Sequence, residues 1–281
     1  VTHQQNSSVF RVAILDLYDG VPNEGMRCIK ALINEFQIKK NLVSGYTIFD
    51  VRKGVDLPEP EEYDVYISSG GPGSPLLEGH EWERKYFKLI ESLIEHNNKN
   101  ENKIHLLAIC HSFQLLMQYF DLSVINKRKS TSFGVMPVHK TDDGTHEWIF
   151  NGLKKTFFAV DSRDYQAIEP NWEKIQKLGA KVLCLEKERP HVPLEQAIMA
   201  VRFTPEIIGT QFHPEADAEG MHRYFLDEEK KALVIKNHGS KKYYSMLEHL
   251  EDPDKIMYTE SIVIPKLLEK ALKNIEESVI F

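Results

Sequence analysis

Along the first part of the chain, short unbroken apolar runs alternate with stretches in which apolar residues recur every three or four positions. Residues 11–17 form such a run, the mark of a strand buried on both faces. A turn with Gly20 and Pro22 follows, and residues 23–36 then place Met26, Ile29, Leu32, Ile33 and Phe36 on one helical stripe. Residues 46–51 and 65–68 read as a second and a third strand, the third running into Ser69-Gly70-Gly71-Pro72-Gly73-Ser74-Pro75. Residues 81–96 return to helical spacing through Trp82, Tyr86, Leu89, Leu93 and His96. A fourth strand over 104–109 leads into a helix through Gln114, Leu115, Leu116 and Tyr119.

This alternation predicts an α/β fold with a mostly parallel central sheet flanked by helices on both faces. Binding groups then belong beyond the carboxyl ends of the strands, where the glycine-rich loop and Cys110 both fall. The middle of the chain differs: residues 132–139, 157–161, 181–186, 196–203 and 207–212 are strand-like with few helical patterns between them. They predict an antiparallel or mixed extension of the sheet. Beyond Gly220 the pattern is helical and highly charged over 223–236, 241–250 and 261–275. The expected organisation is one domain over residues 9–219 with a helical C-terminal extension, 220–281, packed on it.

Composition narrows the function classes. A hydrophobic content of 42% and a charged content of 27% belong to a globular chain, and the net charge of −7 argues against a nucleic-acid surface. No apolar run approaches the ~20 residues of a membrane span, and the polar first residues lack a secretion-signal core, so the cytoplasm is the expected compartment. The three cysteines, Cys28, Cys110 and Cys184, are far apart with no Cys-x-x-Cys pair, and the histidines are scattered. Neither a disulfide framework nor a metal site is expected. The basic run Lys127-Arg128-Lys129 reads as a solvated loop.

Three segments carry chemistry. In Leu106-Leu107-Ala108-Ile109-Cys110-His111-Ser112-Phe113-Gln114 an apolar strand ends at a cysteine with small residues two positions either side, and a helix follows. This reads either as the cysteine form of a nucleophile elbow, whose helix N-terminus favours thiolate over thiol, or as a buried strand-end cysteine. In Gly209-Thr210-Gln211-Phe212-His213-Pro214-Glu215 a strand end is followed by an imidazole that can take the thiol proton and a carboxylate that can orient it. The glycines of residues 69–75 allow close backbone approach to a ligand and could supply oxyanion donors. Without a following Gly-Lys-Ser/Thr, a phosphate loop is disfavoured.

In this order, each at a strand end, the three segments resemble the class I glutamine amidotransferase family over roughly residues 11–215, and so imply its flavodoxin-like fold. By that resemblance Cys110, His213 and Glu215 are the catalytic triad, and the amides of Gly71 and His111 form the oxyanion hole. Gly73, Gln114 and the segment with Ser162, Arg163 and Asp164 contact the glutamine. The family's nucleophile motif, Gly-x-Cys-x-Gly-x-Gln, reads Ala-Ile-Cys-His-Ser-Phe-Gln here, and Asp164 stands where histidine is common. Both replacements at the elbow are small; a positive φ at either would cost about 1–3 kcal/mol.

The expected reaction is release of ammonia from glutamine through a γ-glutamyl thioester, with no cofactor. The motifs are similar to those of the amidotransferase part of GMP synthase, but the stretch beyond Glu215 is too short and too helical for a nucleotide-activating domain. A separate synthetase or other ammonia-acceptor partner is therefore expected. Two rivals stand beside it: a stand-alone γ-glutamyl hydrolase using the same triad, and a non-catalytic regulatory or binding protein on the same fold.

Overall fold

A computed structural model describes residues 10–42, 44–191 and 195–278. The first residue of the expected domain, Val9, and the last three of the expected extension lie outside them.

Strand β1 (Phe10–Asp16) shows how the sheet is covered. Its side chains alternate: Phe10, Val12 and Ile14 enter one apolar core, while Ala13 and Leu15 enter the other. Both faces are therefore dry, which is why the strand is a continuous apolar run rather than an alternating one. Parallel to β1 lie β2 (Ser44–Asp50) and β3 (Val65–Ser68), followed by β4 (His105–Ile109). The chain then makes β5 (Val124–Lys140), β6 (Thr156–Ile168), β7 (Lys181–Glu186), β8 (Ile198–Arg202) and β9 (Ile207–Thr210). The nine-stranded order is β2-β1-β3-β4-β9-β8-β7-β5-β6. Strand β9 pairs parallel with β4 and antiparallel with β8, so it joins a parallel half to an antiparallel one.

Helix α1 (Glu24–Lys40) packs on one face; Asn23 caps it by accepting from the Met26 N–H at 2.8 Å. Helices α2 (Glu81–Lys99) and α3 (His111–Tyr119) pack on the other. Two short helices, α4 (Asp142–His146) and α5 (Trp172–Leu178), punctuate the antiparallel half.

The C-terminal helices follow two paths. Helices α6 (Ala218–Leu226), α7 (Glu228–His238), α8 (Ser240–Glu251) and α9 (Ile256–Glu260) supply Phe225, Val234, Tyr243, Met246, Leu250 and Ile256 to a satellite core with Val135 of β5 and Val160 of β6. Helix α10 (Val263–Ser278) returns to the main sheet and buries Val263, Ile264, Leu267, Leu268, Ala271 and Leu272 beside α1. The expected boundary between residues 219 and 220 falls inside α6. Among the described residues, no helix is long and apolar enough to cross a membrane.

Two local expectations are corrected. Residues 127–129 belong to β5, where Arg128 donates to Gln166 Oε1 at 2.6 Å and meets Glu186 at 3.3 Å. Partners on β6 and β7 therefore hold Arg128 in the strand; it is not a solvated loop residue. Likewise, the strand expected to stop at Asp161 continues to Ile168, because β5 pairs with it to that point across one register shift.

Candidate active site

Cys110 ends β4 and caps α3 with φ 49° and ψ −94°, a backbone conformation that L-residues rarely adopt. Such a turn costs about 1–3 kcal/mol and persists only where its surroundings over-determine it. Here its N–H donates to the Thr210 carbonyl at 2.7 Å and its carbonyl accepts from the Gln114 N–H at 3.0 Å. Neither Ala108 nor Ser112 has a positive φ, so the strain falls on the cysteine itself. Ser112 also works for the turn: its Oγ accepts from the Ile109 N–H at 2.8 Å and donates to the Ser68 carbonyl at 2.9 Å. A glycine could do neither.

His213 follows β9 and is fixed by its own N–H, which donates to Val160 of β6 at 2.8 Å. Its Nδ1 meets Glu215 Oε1 at 2.8 Å, and the Cys110 side chain lies near its ring. Burial opposes charging the ring, but Glu215 and then Cys110 raise its pKa well above the ordinary imidazole value. Glu215 is fully buried, and its Oε2 has no hydrogen-bond partner among the described residues.

The loop after β3 lies against this pair. At Gly71 a Cβ would stand 2.6 Å from the Leu17 carbonyl, so only glycine lets the loop pass so close to the end of β1. Gly73, at φ +83°, has no such crowding but needs the left-handed conformation. His111 opens α3, where a helix leaves its first N–H groups without intrahelical acceptors. Its side chain is buried, and burial first and Arg52 second push its pKa down to about 3.

A cavity of about 450 Å³ brings all ten sequence-predicted residues together at its wall: Cys110, His213, Glu215, Gly71, His111, Gly73, Gln114, Ser162, Arg163 and Asp164. They reach it differently. The Ser162 carbonyl lies 3.8 Å from Cys110 Sγ, and the Ser162 and Asp164 side chains are exposed, Asp164 accepting from Thr131 Oγ1 at 2.5 Å. Between them Arg163 alternates inward, its Nε 2.9 Å from Asp161 Oδ1. Gln114 gives its amide N–H to Gln211 Oε1 at 2.8 Å.

Three residues at the site were not singled out by the sequence. Gln211 is fully buried and its Nε2 lies 3.6 Å from Cys110 Sγ. Its place two residues before His213, at the end of an apolar strand, was the available signal. Tyr18 lines the cavity, its hydroxyl pKa raised by burial and by Glu215. Arg52 donates to the ring of His111 at 2.8 Å and to the Pro72 carbonyl at 2.9 Å. Tyr18 and Arg52 both stand just past strand ends, where an α/β sheet gathers its binding groups.

Comparison with known proteins bears on the fold and the family. The structure is similar to a glutamine amidotransferase from Thermotoga maritima, with TM-score 0.65 and 20% identity over 93% of this chain and 97% of that one. It is similar to a glutamine amidotransferase from Methylobacillus flagellatus, with TM-score 0.67 and 14% identity over 95% and 96%. A third is the glutaminase domain of Trypanosoma brucei CTPS with bound acivicin, with TM-score 0.52 and 14% identity over 83% and 94%. At these identities the likeness is one of fold. No curated protein matches significantly. The family model described as glutamine amidotransferase class-I matches residues 13–233, and with most of its length inside that match the chain belongs to the class-I glutamine amidotransferase family.

Proposed function

We propose that this protein is a glutaminase that releases ammonia from glutamine through Cys110, His213 and Glu215. The observation that carries the reading is the imidazole held between a fully buried carboxylate and the thiol of a strained elbow. His213 takes the Cys110 proton, and the thiolate attacks the side-chain amide carbon of glutamine. The oxyanion faces the Gly71 and His111 amides. His213 then passes its proton to the leaving nitrogen, the C–N bond breaks, and ammonia departs from a γ-glutamyl thioester. Water, deprotonated by His213, attacks the thioester; glutamate leaves and the thiol is restored. The exposed Asp164 carboxylate is placed to meet the substrate ammonium. No metal or organic cofactor enters these steps, and the ammonia goes to an acceptor site on a synthetase outside this sequence, in the cytoplasm.

A second reading, a γ-glutamyl hydrolase acting alone, has one observation in its favour. The cavity extends past the nucleophile to Phe133, Met221 and Tyr224, an apolar wall that departing ammonia does not need. Mass spectrometry after incubation with a glutamine-analogue diazo-ketone tests the common core. A saturable adduct on Cys110, blocked by glutamine and lost in His213→Ala, is expected. An adduct that glutamine fails to block would sink the glutaminase reading. Turnover of bulky γ-glutamyl amines at rates above that of glutamine would favour the hydrolase.

A further inference from the structure

Arg52 sits on the 3-10 turn Val51–Lys53 that follows β2, far in sequence from every catalytic segment. One of its terminal nitrogens makes two contacts that belong to different parts of the site. Nη2 donates to the Pro72 carbonyl at 2.9 Å, in the loop after β3, and to His111 Nε2 at 2.8 Å, on the first residue of α3. A guanidinium is donor-only, so the His111 ring accepts; Nη2 is also within 3.5 Å of its Nδ1. Nη2 also lies 3.2 Å from where a Cβ at Gly71 would stand, so the loop passes close over the guanidinium. The guanidinium is supported from outside by Trp82 of α2, whose ring centre lies 5.6 Å away. Its Nε is buried without a hydrogen-bond partner among the described residues. An arginine left with one nitrogen unpaired in order to hold another in this position is costly to place there unless the position has a use.

We infer that Arg52 is a positioning residue that fastens the loop carrying Gly71 to the elbow carrying His111, fixing the spacing of the two oxyanion amides. The inference rests on the glutaminase reading for its kinetic consequence, but its structural half does not. The two amides come from separate segments, β3–α2 and β4–α3, and neither bonds the other. Ser112 to the Ser68 carbonyl at 2.9 Å and Gln118 to the Pro75 carbonyl at 2.7 Å tie the two segments at the ends of the loop, and Arg52 with the His111 ring adds the tie at its middle, next to Gly71. Its charge also lies next to the hole, where a developing oxyanion gains from a nearby cation.

The test compares wild type with Arg52→Met and Arg52→Lys. Iodoacetamide alkylation of Cys110 is a direct displacement that needs the thiolate but no oxyanion hole, so it separates the loop from the triad. In Arg52→Met, kcat for glutamine is expected to fall roughly 10–100-fold with KM changed less than about threefold. Alkylation should stay within about twofold of wild type, and Arg52→Lys, which keeps the cation and one donor, should recover part of the rate. Amide hydrogen exchange over residues 70–74 should quicken by about tenfold in Arg52→Met. Unchanged kcat, unchanged exchange, or alkylation falling in step with kcat would each overturn the inference. If Arg52→Met does not fold, Arg52→Lys and Trp82→Leu are read by the same criteria with smaller effects. Should wild type release no ammonia from glutamine, the functional reading fails, and the exchange measurement alone decides whether Arg52 fastens the loop.

Discussion

On one side of the cavity the turn at Cys110 is set in apolar packing, with Leu107, Ile109, Phe113 and Leu116 buried around it and backbone hydrogen bonds closing the gaps. On the other side, the strand carrying Ser162 and Asp164 rests on buried charge. Asp161 and Arg163 are both buried and paired, Ser132 donates to Asp161 at 2.7 Å, and Glu186 stands 3.6 Å from Arg163 and 3.3 Å from Arg128. The parallel half tolerates a strained nucleophile because apolar burial on both faces leaves the backbone nowhere to relax. The antiparallel half presents polar groups to a ligand from a two-stranded ribbon, and ion pairs hold its register where the pairing shifts between Lys127 and Ser132. On the proposed reading the rigid wall carries the chemistry and the polar wall the recognition.

The largest effect should come from the rigid wall. Cys110→Ala is expected to lower glutamine turnover by ~10⁴-fold or more, and His213→Ala by a similar factor, with the double variant no worse than either alone. Steady-state ammonia release measures this. Additive losses would mean that the two residues do not act as one unit. The fold should be unaffected: alanine carries the same φ penalty as cysteine, so Cys110→Ala loses only the packing of one sulfur and should unfold at nearly the same denaturant concentration.

The polar wall should respond in stability first. Arg163→Met leaves Asp161 buried with Ser132 alone, and breaking such a pair costs about 3–5 kcal/mol. Urea unfolding checks the figure. Where the variant remains folded, KM should rise more than kcat falls, since Cys110 is held from β4 and His213 follows β9, meeting β6 only at Val160, three residues before Arg163. A loss confined to kcat would contradict the division between the walls.

The parallel half was the more legible of the two, for a physical reason. A strand buried on both faces is an uninterrupted apolar run, and β1, β3 and β4 appear as such within a residue or so of their observed limits. Cys110, His213 and Glu215 stand out as a candidate triad because a nucleophile elbow needs small neighbours and because His-Pro-Glu, a weak signal alone, follows a strand end in the same chain. The antiparallel half hides its chemistry in pairing. The charged stretch of β5 looks like a loop until Gln166 and Glu186 are seen beside Arg128, and Arg52 looks like a surface cation until the fold brings Pro72 and His111 to it. Contacts between distant segments leave no local trace.

Ser112 gives a smaller effect with an informative sign. The family motif has glycine at this place, so Ser112→Gly would restore the resemblance. It should nevertheless destabilise the protein, because the Ile109 N–H and the Ser68 carbonyl both lose their partner in a buried setting. Leaving such groups unsatisfied costs about 1–3 kcal/mol. Thermal unfolding checks it, and a higher Tm in the glycine variant would mean that the hydroxyl strains the elbow.

The smallest effect lies where the C-terminal helices meet the site. Glu260, at the end of α9, has its pKa raised from 4.5 to about 7, by burial first and then by the negative charges of Asp217 and Glu35, with Arg27 opposing. A carboxyl whose folded value exceeds its unfolded one binds more protons in the native state. Its contribution therefore costs nothing below pH 4.5, weakens the fold as pH rises from there to about 7, and stays at its full cost above that. Glu260→Gln should match wild type in unfolding free energy near pH 4.5 and exceed it at pH 8, by about 1 kcal/mol once solvent screening of this half-buried group is allowed for. Urea unfolding at the two pH values reads the difference. Of the two carboxylates that add to burial, Asp217 lies two positions past Glu215 and pairs with Arg27 at 2.6 Å. A pH-dependent gap between the two proteins would show that Glu260 is held as a raised carboxyl, by burial and in part by the charge of the loop that follows Glu215. Parallel curves would show that the polar wall is electrically insulated from the helices that cover it.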